Sequence, residues 1–215
     1  MSNRSLIDVL NVIFPRVRPS QFLTIGDHGR YVEIIPEPIR AIGVDPWPSK
    51  TDKELAPNQS IFPVTSDYFF HSVYMMKQMD VDVALLVDIM RVEQALRDMI
   101  FTEKICKRTS VIMITGTYPT DEKMTERSAI RLFQDQVGDV YKLIPIIKIL
   151  RPEITISTIT DVPGGVTILE NLNEASTELQ MKMVQSLGMV FESKLENRDT
   201  STDMTLDEYI AKSSK

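Results

Sequence analysis

Short apolar segments alternate with amphipathic, helix-like segments along the first 150 residues, and this alternation constrains the fold more than any other feature of the chain. One apolar segment, DVALLV (82–87), has almost no polar residue, which is typical of a strand covered on both faces. Strands that alternate with helices favour an α/β fold with a parallel sheet. The five apolar segments are QFLTI (21–25), IRAIGV (39–44), SIFPVT (60–65), DVALLV (82–87) and SVIMIT (110–115).

Two further apolar segments follow, and their connection differs from the earlier ones. EITISTIT (153–160) and GVTILEN (165–171) flank the short sequence DVPG, which is typical of a hairpin turn. Strands joined by so short a turn are antiparallel to each other. The spacing therefore predicts a mostly parallel sheet that ends in one antiparallel strand. Pro63 within the third segment indicates an edge strand or an irregularity.

Composition excludes several classes of protein. The chain has 215 residues, of which 43% are apolar and 25% charged, and a formal net charge of −6. An acidic chain is a poor ligand for a phosphate backbone, so we expect no nucleic-acid partner. No apolar run approaches the roughly 18 residues that span a bilayer, and no signal-peptide pattern is present, so we expect no membrane and a cytoplasmic location. The single cysteine, Cys106, excludes an intrachain disulfide and a cysteine-based metal site.

The sequence predicts three regions. Residues 1–172 form the α/β domain, residues 173–195 a Met-rich amphipathic helix, and residues 196–215 a polar tail that is disordered. The helix carries an apolar stripe with two interpretations: it packs on its own sheet, or it contacts a second copy in a homodimer or another protein. The stripe consists of Met181, Met183, Val184, Leu187 and Val190.

Glycines and polar residues suited to ligand binding follow the parallel strands, at the edge where open α/β sheets bind ligands. Gly26, Asp27 and Gly29 follow the first strand, and glycines there let the backbone approach a ligand. Asp45 follows the second strand, nineteen residues after Gly26, at a spacing suited to a ribose hydroxyl. The alternative is that the glycines only turn the chain and that Asp45 belongs to a strand-end turn.

The later strand ends carry further polar residues. Ser66 and Asp67 follow the third strand, where they would meet an adenine amine or simply cap the next helix. Asp88 follows the fourth strand and Thr115–Thr117 the fifth. Together, polar groups at successive strand ends predict a nucleoside-type ligand.

The sequence also resembles a known family, the class I S-adenosylmethionine-dependent methyltransferases. More specifically, the sequence resembles the small bacterial branch found with sugar and natural-product O-methyltransferases. The resemblance covers roughly residues 15 to 172. It rests on FLTIGDHG, IRAIGVDPWP, VTSDYFF, DVALLVDIMRVEQALRD, SVIMITGTYP, GDVYKLIPIIKILRP and GGVTILEN.

The resemblance implies a Rossmann-like, seven-stranded sheet with an antiparallel last strand, and S-adenosylmethionine as the cofactor. It implies that Gly26 and Gly29, with Asp27 between them, border the methionine part. It implies further that Asp45 holds the ribose, that Asp67 lies beside the adenine, and that Asp88 faces the methionine end or a metal.

Several positions depart from the family pattern. Thr24 stands where the family has an acid, and His28 adds a bulky ring to the glycine turn. Asp88-Ile-Met-Arg91 replaces Asp-Gly-x-His, and Thr115-Gly116 replaces His-Asp. A divalent cation needs several hard oxygen ligands, so we expect no metal with Asp88 alone.

Two functional hypotheses follow. The first is an O-methyltransferase for a small molecule or sugar, with Asp88, Arg91 and Tyr118 as the candidate catalytic residues. The second is a catalytically inactive protein on the same fold, with a scaffold, assembly or regulatory role. A nicotinamide-dependent reductase fits less well, because its phosphate turn needs three glycines that open a helix.

Overall fold

The computed structural model describes residues 4–26, 28–50, 54–72, 79–127 and 136–214. Every apolar segment that the sequence assigns to the sheet forms a strand within one or a few residues of the expected place, and the chain adds one short strand near its end. The strands are β1 (Gln21–Ile25), β2 (Arg40–Val44), β3 (Gln59–Phe62), β4 (Val81–Leu86), β5 (Cys106–Thr115), β6 (Thr155–Ile159), β7 (Val166–Glu170) and β8 (Asp203–Met204).

The described strands form one twisted sheet with the order β3-β2-β1-β4-β5-β7-β6-β8. Among them, only β7 runs antiparallel to its neighbours, β5 and β6. The predicted α/β fold, a mostly parallel sheet whose seventh strand is antiparallel, is therefore confirmed. Strand β3 lies at the edge of the sheet, as Pro63 indicates. The sheet has eight strands rather than seven, because β8 pairs in parallel with β6 through Thr158 and Ile159.

Helices cover both faces of the sheet, and two apolar clusters fill the layers between. The helices are α1 (Leu6–Val17), α2 (Arg30–Glu33), α3 (Ser66–His71), α4 (Val92–Glu103), α5 (Leu143–Leu150), α6 (Glu178–Met181), α7 (Met183–Val190) and α8 (Leu206–Ser213). One cluster joins α3, α4, α5, α6 and α7 to the sheet, and the other joins α1, α2 and α8 to the opposite face.

The C-terminal region differs from the sequence prediction. The single helix expected over 173–195 is two short helices, α6 and α7, which meet at Lys182. The tail at 196–215, for which the sequence predicts disorder, instead forms β8 and α8. The reason is that α8 has a capping box at Thr205 and buries Leu206 and Tyr209. The polar composition of the segment as a whole does not indicate these local features. The division into a 1–172 domain and later segments stays a prediction.

The apolar stripe of the Met-rich region is split between two faces. Val190 is buried, and Met183 and Leu187 pack against the core from partly buried positions. Met181 and Val184 are instead 78% and 82% exposed. In the part of the chain that the structure describes, no helix has the length and apolarity needed to cross a membrane.

Candidate functional site

Parallel pairing brings the ends of β2, β1 and β4 together. Ile25 at the end of β1 is in register with Val44 of β2 and Leu86 of β4. The next residue of each strand is Asp45, Gly26 and Val87, and Asp88 follows. Neighbouring strands lie about 4.8 Å apart, so Asp45, Gly26 and Asp88 occupy one short stretch of the sheet edge.

The glycine turn that follows β1 needs glycine for steric reasons. Gly26 has φ +84°, and a Cβ there would lie 2.4 Å from the carbonyl oxygen of Val87. Gly29 has φ +90°, and a Cβ there would lie 2.5 Å from the side chain of Ile61. Both glycines are thus required by the packing of the turn against its neighbours. Asp27 lies outside the described residues, so its predicted contact with the cofactor stays a prediction.

Asp45 is nearly buried and holds two loops together. Its exposed fraction is 3%. Oδ2 accepts the backbone N–H of His28 at 3.0 Å, and Oδ1 accepts the backbone N–H of Trp47 at 2.7 Å. The carboxylate therefore joins the glycine turn to the loop after β2, and a ligand hydroxyl has to share an oxygen with a backbone donor.

The imidazole of His28 lies against the same loop. Its Nδ1 lies 2.9 Å from the carbonyl oxygen of Trp47 and 3.5 Å from Oδ1 of Asp45. A contact with a carbonyl oxygen requires Nδ1 to carry the proton and donate. His28 also has φ +53°, a left-handed conformation that glycine adopts more easily. The ring thus occupies space beside the carboxylate at some cost to the backbone.

Asp88 is paired with a cation from the glycine turn. Arg30, the first residue of α2, donates from Nη2 to Oδ2 of Asp88 at 2.8 Å. The side chains are 57% and 24% exposed, so the pair is screened by water and contributes little to stability. The sequence pattern did not single out Arg30, because its position relative to β4 depends on how the turn folds.

Ser66 and Asp67 begin α3, but neither is its cap. Thr65 accepts the backbone N–H of Tyr68 through Oγ1 and caps the helix. Ser66 Oγ accepts from Nε2 of Gln94 at 3.0 Å, and Asp67 Oδ1 lies 3.3 Å from Nε of Arg97. Both side chains therefore interact with α4. Their predicted role beside an adenine stays a prediction.

Asp98 lies beneath this contact between α3 and α4. It is 1% exposed, and its Oδ1 accepts from Nε2 of Gln94 at 2.8 Å. Burial raises the pKa of Asp98 to about 7, and the carboxylate of Asp67 adds to the increase. Ser66, Gln94 and Arg97 act in the opposite direction. Asp98 is therefore a titratable group at neutral pH that the sequence pattern did not reveal.

Comparison with solved structures identifies proteins of similar fold. A candidate O-methyltransferase from Klebsiella pneumoniae aligns with TM-score 0.59 and 12% identity over 80% of this chain and 83% of that one. A candidate caffeoyl-CoA O-methyltransferase from Staphylococcus aureus aligns with TM-score 0.56 and 15% identity over 79% and 84%. The O-methyltransferase from Bacillus cereus in complex with SAH aligns with TM-score 0.54 and 11% identity over 79% and 84%.

The chain shares its fold with these three O-methyltransferase structures. No protein-family model and no curated protein matches the sequence. At 11–15% identity, the likeness shows the architecture of the chain and not its chemistry.

Arg91, a predicted catalytic residue, lies at the start of α4. It is exposed and occupies the N-cap position without a side-chain capping bond. The helix is capped instead by Asp139, whose Oδ1 accepts the backbone N–H of Val92 at 2.8 Å. Asp139 is 3% exposed and is a residue that the sequence pattern did not single out, although it follows Gly138 in the family-like segment GDVYK.

Tyr118, another predicted catalytic residue, is bound to the β6–β7 hairpin. Its backbone N–H donates to the carbonyl oxygen of Gly164 at 2.8 Å. The guanidinium of Arg198 lies 4.5 Å from the centre of its ring, and Arg198 also pairs with Asp203 at 2.6 Å. Tyr118 therefore turns toward β7 and the C-terminal segment, whereas Asp88 faces Arg30. The joint catalytic role of Asp88, Arg91 and Tyr118 stays a prediction.

A segment after β5 packs over the ends of β4 and β5. The carbonyl oxygen of Met124 accepts the backbone N–H groups of Val137 and Gly138. Gly138 lies so close to the chain that a Cβ there would be 1.9 Å from the carbonyl oxygen of Met90. Val137 contacts Gly116, which follows β5. This packing fixes the loop after Asp88.

The hydrogen-bond acceptors and the negative charge at the sheet edge are compatible with S-adenosylmethionine, the cofactor that the sequence resemblance implies. A carboxylate offers about four acceptor positions, so Asp45 keeps acceptor capacity beyond its two backbone bonds. Thr24 Oγ1 is buried and has no hydrogen-bond partner among the described residues. Asp88 supplies a partly exposed negative charge. No group of three His, Cys, Asp or Glu side chains is arranged for a metal within the described ranges.

Proposed function

We propose that this protein binds S-adenosylmethionine at the carboxyl edge of its sheet and transfers the methyl group to an oxygen of a small molecule or sugar. The observation that carries the proposal is the convergence of Asp45, Gly26 and Asp88 at adjacent strand ends. This edge is where open α/β sheets bind ligands. The B. cereus protein of the same fold is in complex with SAH, which supports a ligand of this kind.

Each residue has a distinct part in this proposal. Asp45 accepts hydrogen bonds from the ribose hydroxyls after the ring of His28 moves aside. The backbone of Gly26 lies beside the amino-acid part, and Asp88 exchanges Arg30 for a cationic group of the ligand. Because an exposed ion pair contributes at most about 1 kcal/mol, this exchange costs little. Ser66 and Asp67 lie farther along the edge, next to α4, as candidate neighbours of the adenine.

The cofactor, when bound, supplies an activated methyl group, and the protein has to supply position and proton transfer. Holding two reacting atoms in line is the larger contribution to such a transfer. Asp88 is the one carboxylate among the three predicted catalytic residues, and in this proposal it accepts the proton. Its pairing with Arg30 has to be broken before it acts as a base.

Calorimetric titration of the protein with S-adenosylhomocysteine tests the proposal. We expect saturable binding with a stoichiometry of one, and no heat with NAD as a matched nucleotide. The variant Asp88→Asn should bind more weakly, because it loses the negative charge but keeps its size. Absence of binding at millimolar ligand would overturn the proposal.

Asp45→Asn is a less suitable variant. The amide has only one oxygen, whereas two backbone N–H groups now donate to the carboxylate of Asp45. One of them would lose its acceptor, at a cost of about 1–3 kcal/mol. A loss of binding in this variant would therefore mix the effect on the ligand with the effect on the fold.

The other contacts of the candidate catalytic residues favour a second function, that of a catalytically inactive methyltransferase-fold protein. Asp88 is paired with Arg30, Arg91 is exposed at a helix start, and Tyr118 lies under Arg198. Incubation with methyl-labelled S-adenosylmethionine and a small-molecule extract distinguishes the active enzyme from the inactive protein. Label transfer that Asp88→Asn abolishes supports the enzyme, whereas binding without any transfer supports the inactive protein.

A further inference from the structure

A cleft of about 560 Å³ lies at the edge of the sheet opposite the candidate functional site, where β4 and β5 begin and β7 ends. It is here called the amino-edge cleft, and charged residues from four elements line it: Arg16 of α1, Asp82 of β4, Arg108 of β5 and Glu170 of β7. Its volume falls in the range of sites that hold small molecules, roughly 300–1,000 Å³. The pairing of these four charges therefore decides which kind of molecule fits.

Strand β5 has an irregularity where it lines the cleft. The stretch 81–83 of β4 is paired with the stretch 106–111 of β5, three residues against six. Residues 107–109 are all exposed, with a buried residue on either side, instead of alternating between the two faces of the sheet. Bulges re-aim the side chains that they carry, and this one brings Arg108 to the cleft.

The bulge is closed by the hydrogen bonds of a buried hydroxyl. Ser110, which is 2% exposed, accepts the backbone N–H of Lys107 through Oγ at 2.8 Å. The same Oγ donates to the carbonyl oxygen of Val81 at 2.7 Å, so the bulge is tied both to itself and to β4. Arg108 and Thr109 therefore project from a segment whose two ends are fixed.

The carboxylate of Glu170 is neutralised by partners within the chain. Its Oε1 lies 2.8 Å from Nη2 of Arg16, and its Oε2 accepts from the hydroxyl of Tyr209 at 3.2 Å. Burial raises the pKa of Tyr209 to about 12, and the charge of Glu170 adds to the increase, so the hydroxyl keeps the proton that it donates. Arg16 and Glu170 thus cancel each other's charge in the cleft.

Asp82 is likewise held as a paired carboxylate. Its Oδ2 accepts the backbone N–H and the hydroxyl of Ser20 at 2.8 and 2.7 Å, and the backbone N–H of Gln21 at 3.0 Å. Its Oδ1 lies 3.1 Å from Nζ of Lys107. Burial acts to raise the pKa of Asp82, but the hydrogen bonds outweigh burial and hold the pKa below its ordinary value of 3.8. Both oxygens of Asp82 therefore already have donors at neutral pH.

Arg108 is the cation of the cleft whose charge no carboxylate cancels, within the ranges that the structure describes. Its Nε donates to Oδ1 of Asn171 at 3.2 Å, and the amide of Asn171 donates to the carbonyl oxygen of Glu153 at 2.7 Å. Among the described residues, Nη1 and Nη2 of Arg108 have no hydrogen-bond partner. The guanidinium is therefore held through Nε, and its terminal donors are left for a ligand.

We propose that the amino-edge cleft binds a small polar organic acid, whose carboxylate accepts two parallel hydrogen bonds from Nη1 and Nη2 of Arg108. The planar guanidinium matches the two oxygens of a carboxylate, which a single ammonium group does not. The hydroxyl of Thr109, which also lines the cleft, is available to the polar body of the acid. The proposal does not depend on any ligand at the carboxyl edge of the sheet.

The charges around Arg108 favour a monoanion over a phosphate. Arg108 gives the cleft one uncancelled positive charge, whereas the carboxylates of Asp82 and Glu170, although paired, line the same space. A doubly charged phosphate would be attracted to one guanidinium and repelled by both carboxylates. Inorganic phosphate is therefore a probe that discriminates between the two kinds of anion.

NMR titration of the isotope-labelled full chain with sodium gluconate, a polar acid with one carboxylate, tests the proposal at constant ionic strength. We expect saturating shifts of the backbone amides of residues 107–110, with a dissociation constant on the order of 1–10 mM. Arg108→Gln should weaken binding by at least about tenfold, because it removes the charge and the paired donors at an exposed position. The control is Arg40→Gln, at an exposed position that begins β2 outside the cleft, and it should leave the affinity unchanged.

Two further measurements distinguish the planar contact from simple charge attraction. Arg108→Lys keeps the charge but loses the guanidinium plane, so its affinity for gluconate should fall several-fold. Inorganic phosphate should bind the unaltered protein more weakly than gluconate does. Shifts that rise without saturation, an unchanged affinity in Arg108→Gln or Arg108→Lys, an equal loss in Arg40→Gln, or tighter binding of phosphate would overturn the proposal.

Discussion

Asp45 binds one residue, His28, in two ways: its Oδ2 accepts the backbone N–H of His28 at 3.0 Å, and its Oδ1 lies 3.5 Å from the ring nitrogen Nδ1. The backbone contact orders the glycine turn, and the ring contact occupies the space that a ribose would enter. These two effects are separable, because the first needs no side chain at position 28.

His28→Gly should therefore increase the affinity for S-adenosylhomocysteine several-fold. The variant keeps the backbone N–H that Asp45 accepts, removes the ring, and suits the left-handed conformation at φ +53°. Calorimetric titration measures the change. The control is Arg18→Gly, which relieves a similar conformation at φ +52° far from the site and should leave the affinity unchanged. Equal affinities for His28→Gly and the unaltered protein would show that the ring does not compete with the ligand.

Arg30→Gln should shift ligand preference toward S-adenosylmethionine. The substitution removes the guanidinium of Arg30 from the carboxylate of Asp88, and S-adenosylmethionine carries a positive sulfonium that S-adenosylhomocysteine lacks. The ratio of the two dissociation constants reports this effect, whereas the free energy of unfolding should fall by less than about 1 kcal/mol. Lys50→Gln, which breaks the comparably exposed pair of Lys50 with Glu33 at 2.6 Å, is the matched control. An unchanged ratio in Arg30→Gln would argue against cation binding by Asp88.

Glu103→Gln should destabilise the fold strongly. Glu103 and Arg151 form two buried hydrogen bonds of 2.6 and 2.8 Å, with side chains 4% and 2% exposed. Removing the charge of Glu103 leaves the buried guanidinium of Arg151 with the 44% exposed carboxylate of Glu153 as its ion-pair partner, so we expect a cost toward the lower end of the roughly 3–5 kcal/mol of a broken buried pair. Denaturant unfolding measures the loss. Glu178→Gln, which alters the exposed pair with Lys182, should cost less than about 1 kcal/mol, and similar losses in both variants would contradict this account.

The raised pKa of Asp98 gives the stability of the protein a pH dependence with a definite sign. The folded protein holds the Asp98 proton up to about pH 7, whereas the unfolded chain releases it near its ordinary pKa of 3.8. The folded state therefore binds more protons between these values, and the contribution of Asp98 to stability falls as pH rises from about 4 to 7. Asp98→Asn should remove this loss and stabilise the protein above pH 7 by roughly a few kcal/mol.

Denaturant unfolding of both proteins at closely spaced pH values measures the effect. The asparagine of the Asp98→Asn variant retains an oxygen for Nε2 of Gln94, so the hydrogen bond at 2.8 Å has a direct replacement. The curves of the two proteins should converge near the ordinary pKa of 3.8 and separate as the pH approaches about 7. Parallel curves across this range would show that Asp98 is ionised in the folded protein.

Apolar pattern and strand-end position predict the sheet well, but they predict side-chain partners poorly. DVALLV and its neighbours become strands because only a sheet covered on both faces can bury them, and this holds whatever the turns do. Asp45 and Asp88 reach the expected edge for the same reason. Their actual partners, the backbone of Trp47 and the guanidinium of Arg30, depend on loop conformations that have no period in the sequence.

The C-terminal part of the chain shows a second limit of structure prediction from sequence patterns. The spacing of apolar residues indicates a helix there, but the choice of inner face depends on competition between Met183 and Val184 for the same core. Only the packing against α5 decides it, and it leaves Val184 exposed. The tail is ordered by pairs distant in sequence, such as Arg198 over Tyr118, which no local pattern contains.

Strand β8 has a consequence for the colloidal behaviour of the protein. Without it, β6 would present unpaired N–H and C=O groups at the rim of the sheet, a template on which extended segments of other molecules can add. The backbone N–H groups of Thr158 and Thr160 instead donate to Thr202 and Met204 at 2.8 and 3.0 Å. A ladder of so few residues suffices to protect that rim, and its loss would favour fibrous aggregation before any change in the core.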